Sequence, residues 1–446
     1  MMKRLLIKNG QLVTMNRNRD IFKSDLLIED NRISTIAPEI KAENCEVIDA
    51  TGLVLIPGLI QTHIHLTQTL LRGQADDLEL LDWLKKRVWP LEGAHTAESN
   101  YVSAKLGIGE LIKGGTTSII DMETVHHTDA AFEALRETGY RAISGKCMMD
   151  YGKGVPVSLM EDTHDSVEES VRLLKKWHGS ANGRIEYAFA PRFVVSCTEE
   201  LLVRVKKLSS EYGVKVHTHA SENRGEIELV QKDRGMRNIN YLHKLGLTGE
   251  NLVLAHCIWL DDEEMSILAD TGTRIAHCPS SNMKLASGIA KIPELLEMGA
   301  QVSLAADGAP CNNNMDMFRE MRHAALIQKA RLLSPTTMPA ATVFEMATLG
   351  GAKAMGKEND LGSLEVGKLA DIVLVNLAAP HNAPWEAGDI VSQLVYSLTS
   401  ADVHTTIIDG NVVMKNRELT TMDEGALLKD ANRVIKEQID TAGVIK

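Results

Sequence analysis

Apolar and polar positions follow two different rhythms along this chain. Near the start, Leu5, Ile7 and Leu12 alternate with polar residues, and 26–28, 33–36 and 47–48 read as further short strands. Asn9-Gly10 supplies the left-handed pair that a tight hairpin uses. The far end has the same character: 362–376 is Gly-punctuated and β-rich, and 405–414 reads as a hairpin around Asp409-Gly410. Neither half can bury a core alone. Residues 1–57 and 360–418 are therefore expected to fold together as one composite β-sandwich domain, followed by a helical tail over 419–446.

Between these ends the rhythm changes. Eight apolar or β-branched runs, at 59–65, 116–122, 141–146, 184–190, 214–219, 252–256, 274–278 and 301–307, alternate with segments of helical spacing such as 96–113, 166–177, 198–212, 261–271 and 292–299. Alternating β and α predicts an α/β fold with a parallel sheet, and eight units predict a closed (β/α)8 TIM barrel over 58–359.

The charge balance narrows the partners. A net charge of −12, with no run of Lys and Arg, repels phosphate backbones and anionic lipid, so neither nucleic acid nor membrane is an expected partner. With 44% hydrophobic and 24% charged residues, the chain has the apolar material for a packed core. The start, MMKRLLIKNG, is too poor in apolar residues for a secretory leader, and the six cysteines lack CxxC pairing. A reducing cytoplasmic location is expected.

The chemistry gathers at strand ends. His63 and His65, His219, His256 and Asp307 all fall at the C-terminal ends of expected barrel strands, the rim on which barrel active sites form. Alternate strand residues share a side, so His63 and His65 can grip one ion. That pair alone is a weak signal, more often satisfied polar residues than ligands; a third His and an Asp at other strand ends make it strong. Of His217 and His219, the second stands nearer the strand end with Glu222 just beyond, which makes His219 the ligand and His217 a hydrogen-bonded residue one layer deeper. Three imidazoles, one carboxylate and a water compose a zinc-type catalytic site with an exchangeable position.

PGLIQTHIHL, HTHASE, LAHC, AHCPSSN and the strand-eight Asp resemble the amidohydrolase superfamily, in the branch of adenosine-type and guanine deaminases that includes triazine hydrolases. The resemblance runs essentially end to end. It implies a mononuclear metal, usually Zn2+ with Fe2+ or Mn2+ as alternatives, held by His63, His65, His219 and Asp307. Binuclear relatives use a carboxylated lysine after strand four, and AFAPRF has none. The same resemblance implies that His256 orients the attacking hydroxide, that Asp307 takes its proton, and that Glu222 protonates a ring nitrogen and serves the departing ammonia.

Substrate contacts are implied more thinly. In the branch that deaminates S-adenosylhomocysteine, methylthioadenosine and 5'-deoxyadenosine, a Trp and a ribose-binding Glu occur at the spacing of Trp83 and Glu92, though an amphipathic helix would place the same pair. Arg192 stands where that branch has a His, a feature associated with guanine deaminases, and Cys311 where a Ser is common. The expected activity is zinc-dependent hydrolytic deamination of a purine nucleoside. A guanine, pterin or triazine aminohydrolase or chlorohydrolase is the alternative on the same scaffold. Related deaminases are commonly homo-oligomers, and the resemblance implies the same here.

Overall fold

The computed structural model describes residues 3–152 and 154–444. Its strands, in chain order, are β1 (Arg4–Val13), β2 (Ile21–Glu29), β3 (Arg32–Ala37), β4 (Glu46–Asp49), β5 (Leu53–Pro57), β6 (Leu59–Ile64), β7 (Thr116–Met122), β8 (Arg141–Gly145), β9 (Cys147–Met148), β10 (Ile185–Pro191), β11 (Lys215–Ala220), β12 (Leu252–His256), β13 (Arg274–His277), β14 (Gln301–Leu304), β15 (Ile372–Asn376), β16 (Val403–Ile408), β17 (Asn411–Lys415) and β18 (Glu418–Leu419).

The barrel runs β6-β7-β8-β10-β11-β12-β13-β14, each neighbour parallel. β6 closes on the β14 segment through Thr62 Oγ1 and Ser303 Oγ at 2.7 Å and through the Ala306 N–H, which donates to Gln61 Oε1 at 3.1 Å. Every residue of β6, β7, β8 and β12 is buried, as expected of parallel strands covered on both faces. Helices Ala97–Lys113, Thr163–Trp177, Glu199–Tyr212, Asp262–Thr271 and Ile292–Glu297 form part of the outer layer. Their starts are chemically fixed: the Thr96 and Asp261 side chains accept backbone N–H groups three residues on, in reciprocal capping boxes with Ser99 and Glu264.

The ends of the chain build one nine-stranded sheet, ordered β18-β17-β16-β15-β5-β1-β2-β3 with β4 on β1. N-terminal and C-terminal halves meet where β5 pairs antiparallel with β15, Leu55 opposite Leu374. This sheet encloses its own core of Leu5, Ile7, Leu26, Ile28, Ile372 and Ile407, among others, which fits a small sandwich domain beside a TIM barrel. A buried ion network ties it to the barrel: Arg141 of β8 donates to Asp371 at 3.0 and 3.1 Å and to Asp409 at 3.1 Å.

The two Asx-Gly pairs behave differently. Asp409 (φ 52°) and Gly410 (φ 71°) form the two-residue hairpin turn expected between β16 and β17. Asn9-Gly10 is not a hairpin turn. β1 continues through it, pairing with β2 on both sides of a register shift between Ile7 and Gly10, so the left-handed Asn9 (φ 62°) is a bulge residue. A Cβ on Gly10 would stand 2.4 Å from Leu55 Cδ1, so β5 packs where a side chain would be.

At the chain's end, Leu419 pairs with Met414 as a last strand residue, and the helix runs over Glu424–Ala442 against Ala97–Lys113. No helix among the described residues is long and apolar enough to cross a membrane. All six cysteines are free thiols.

Candidate metal centre and catalytic cleft

Left-handed backbone at three strand ends aims the site. Ser221 follows β11 with φ 54°, His256 closes β12 with φ 75°, and Asp307 stands beyond β14 with φ 64°. Non-glycine residues in this region cost on the order of 1–3 kcal/mol and persist where the surroundings over-determine them. This kink explains a difference at strand eight, whose regular part ends at Leu304 rather than at Asp307. The Asp307 N–H donates back to the His63 carbonyl at 3.2 Å, so the carboxylate stays beside the first histidine pair.

Two overlapping clusters of potential ligand atoms form, His63 with His65 and His219, and His63 with His256 and Asp307. Nε2 of His65 lies 3.2 Å from Nε2 of His219, and Asp307 Oδ1 lies 3.2 Å from His63 Nε2 and 3.4 Å from His65 Nε2. His63 Nε2 is buried without a hydrogen-bond partner. A tetrahedral ion with ligand bonds of about 2.0–2.1 Å has ligand–ligand edges of about 3.3 Å, and these three separations have that length. Each imidazole is held from behind. His65 Nδ1–H donates to the Met122 carbonyl at 2.8 Å, His219 Nδ1–H to the Arg192 carbonyl at 2.7 Å, and His63 Nδ1 pairs with His217 Nε2 at 2.9 Å. His217 thus lies one layer back. Burial lowers the pKa of His63 and His219 and brings His65 to about 3, leaving neutral imidazoles able to take a metal. Burial alone would raise Asp307, but His63, His256 and His65 around it hold it well below the ordinary carboxylate range.

Glu222 and His256 face each other beside this cluster. Burial lifts the Glu222 carboxyl to about 7, and its Oε2 lies 3.5 Å from His256 Nε2. Burial disfavours a charged His256, but the Glu222 and Asp307 carboxylates outweigh it and raise its pKa. His256 Nε2 is also 3.9 Å from Asp307 Oδ2.

Several residues that sequence reasoning did not single out hold this arrangement. Ser281 Oγ donates to Asp307 Oδ2 at 2.6 Å, and Asn282 Oδ1 accepts His256 Nδ1–H at 2.9 Å. Glu226 Oε2 accepts the Glu222 N–H at 2.8 Å. The signals were modest: SSN directly follows the strand-seven AHCP, and Asn223 with Glu226 spells a capping box.

The cleft over the cluster is lined by Trp83, Leu80, Leu84, Arg192, Phe193 and Leu285, with Gln68 beside His65. Trp83 ends the helix Leu80–Trp83, and a π-helical turn, Leu84–Val88, leads into Trp89–Gly93, which carries Glu92. Glu92 and Cys311 stand behind the lining. Glu92 is 3% exposed, and both its oxygens are engaged: Arg192 Nη1 donates to Oε2 at 2.7 Å and Gln68 Nε2 to Oε1 at 2.7 Å. Arg192 outweighs the burial penalty and lowers the Glu92 pKa. The Cys311 thiol donates to the Gly308 carbonyl at 2.9 Å.

Residues 54–413 match the family model described as the amidohydrolase family. The chain belongs to that family. This amidohydrolase is 41% identical over 418 residues, 94% of its length and 95% of the relative's, to 5'-deoxyadenosine deaminase of Methanothermobacter thermautotrophicus. It is 39% identical over 442 residues, 98% and 99% of the two chains, to 5-methylthioadenosine/S-adenosylhomocysteine deaminase of Syntrophomonas wolfei. Among solved structures, an adenosine deaminase from Xanthomonas campestris with bound zinc superposes with a TM-score of 0.90 at 31% identity, covering 98% of each chain. The amidohydrolase is a metal-dependent hydrolase of C–N bonds in a small-molecule substrate, and its histidine-rich centre takes a divalent metal.

Proposed function

We propose that this amidohydrolase deaminates adenosine-type nucleosides, of the 5'-deoxyadenosine, methylthioadenosine or S-adenosylhomocysteine class, to the inosine analogue and ammonia. One zinc ion is the proposed metal, with His63, His65, His219 and Asp307 as its ligands. The ligand edges of 3.2 to 3.4 Å support it, and so does the lack of a lysine in residues 188–193 to bridge a second ion. The observation that carries the reading is Glu222: a buried carboxyl near 7, facing the same small volume as the ligand cluster, suits proton transfer to an aromatic ring nitrogen.

When bound, the ion supplies Lewis acidity that makes water a nucleophile near neutral pH. Asp307, ionised and fixed by Ser281, accepts the proton that water gives up. His256, its Nδ1–H committed to Asn282, keeps Nε2 directed at the attacking oxygen. Glu222, its carboxyl raised by burial to about 7, hands a proton to the ring nitrogen beside the amino-bearing carbon. As ammonia leaves, Asp307 gives the proton taken from water to the departing amine, and Glu222 recovers one from the hydroxyl added at the ring carbon, so both groups return to their starting states. Arg192 offers guanidinium donors to the base and Trp83 covers the ring, while Glu92, with both oxygens engaged by Arg192 and Gln68, acts from behind the lining by fixing Arg192 rather than by the ribose contact expected from its spacing. Cys311 closes the floor beside Asp307.

Ammonia release from zinc-loaded enzyme tests the reading, with 5'-deoxyadenosine, methylthioadenosine, S-adenosylhomocysteine, adenosine and guanine as substrates. The three 5'-modified nucleosides should show the highest kcat/KM. Preferred turnover of guanine would replace the nucleoside reading, and no release from any of them would end it.

A further inference from the structure

Glu320 sits in the outer layer, on the helix Met317–Leu332, with no exposed surface. No cation pairs with it among the described residues. Burying a carboxylate without a counter-charge is costly, so a neutral side chain would be the cheaper filler here. Its contacts explain why a carboxylate is used. Oε2 accepts the Ser280 backbone N–H at 3.1 Å, and Oε1 accepts Asn312 Nδ2 at 2.8 Å. Both facing groups are donors, and only a carboxylate accepts at both oxygens, whereas glutamine would turn an amide N–H onto one of them.

What the two donors belong to is the decisive point. Ser280 lies in the short helix Pro279–Lys284, which also carries Ser281, the partner of Asp307, and Asn282, the partner of His256. Asn312 Nδ2 donates in addition to the Ala306 carbonyl at 2.8 Å, one residue before the left-handed Asp307. Glu320 thereby joins the loop after β13 to the loop after β14. These two loops hold the second oxygen of Asp307 and the ring orientation of His256.

We propose that Glu320 is a positioning residue: from outside the cleft it fixes the spacing of the loops after β13 and β14, and through Ser281, Asn282 and Ala306 it sets the geometry of Asp307 and His256. The inference rests on those two residues acting as in the function proposed above. Outer-shell partners of this kind change metal affinity or activity by about 10- to 100-fold.

The test uses full-length zinc-loaded E320Q, N312A and the E320Q/N312A double variant. Zinc affinity is measured by competition with a chromophoric chelator, and kcat per bound zinc and KM on the best substrate of the panel. E320Q should lose about tenfold or more in kcat per bound zinc, with KM within about twofold, and should bind zinc several-fold more weakly. N312A removes the Asn312 bonds to Glu320 and to the Ala306 carbonyl on the same path, so it should lose in the same sense, and the double variant should be no worse than the worse single variant. Unchanged kcat per bound zinc in E320Q, a loss confined to KM, or losses that multiply in the double variant each overturn the proposal. If wild type deaminates no nucleoside, the functional reading fails, and the chelator measurement still judges the tether.

Discussion

Replacing Glu222 by Gln is the most informative single change in the cleft. The side chain is 7% exposed and keeps its volume as an amide, and its anchor to Glu226 runs through its own backbone N–H, which the substitution leaves in place. No zinc-ligand atom is altered. What disappears is a carboxyl that burial sets at about 7, able to give and take a proton at neutral pH. Loss of a general acid–base group slows turnover by roughly a hundred- to ten-thousand-fold, which is about 2.7–5.5 kcal/mol of barrier. The assay is ammonia release at saturating nucleoside, with zinc content measured on the same preparation. E222Q should hold one zinc per chain and lose at least a hundredfold in kcat. Turnover within about threefold of wild type would remove Glu222 from proton transfer, and loss of zinc would show it to be part of the metal's coordination.

Three further outcomes follow from the same geometry. H63A or D307A should lose zinc on dialysis against a weak chelator, whereas H217A should keep one zinc bound about 10- to 100-fold more weakly; full retention in H63A would contradict the ligand set. E92A leaves the Arg192 guanidinium buried without its partner, so it should cost about 3–5 kcal/mol in denaturant unfolding, while E92L/R192M regains most of that stability but not turnover; a cost under about 1 kcal/mol for E92A would refute the pairing. In metal-free protein, Glu222 is neutral in the fold up to about 7 but ionises near 4.5 when unfolded, so its contribution is intact below 4.5 and is lost as pH rises to 7. E222Q escapes that loss and should gain on wild type by on the order of 2–3 kcal/mol between pH 5 and pH 8; a constant difference would show that Glu222 is not raised.

The barrel was legible because strands buried on both faces appear as apolar runs, and β7 and β12 begin and end where those runs do. His63, His65, His219, His256 and Asp307 were visible for a related reason, as polar residues closing apolar runs. Asn9-Gly10 misled because left-handed preference is common to hairpin turns and bulges, and only the partner strand decides between them. The run at 301–307 overshot because Ala305 and Ala306 look like strand while the chain has already turned toward Asp307. Other features are non-local. The Arg192 and Glu92 side chains meet across 100 residues, and Ser280 meets Glu320 across 40. No spacing rule in one sequence announces such pairs.

X-ray absorption at the zinc edge of the reconstituted protein tests the central claim most directly, since it reads the metal's neighbours without reference to substrate. One zinc per chain, surrounded by three imidazole nitrogens and oxygen at about 2.0–2.1 Å, is the result predicted from His63, His65, His219 and Asp307. A sulfur neighbour, a second zinc at bridging distance, or a single histidine in the shell would contradict it.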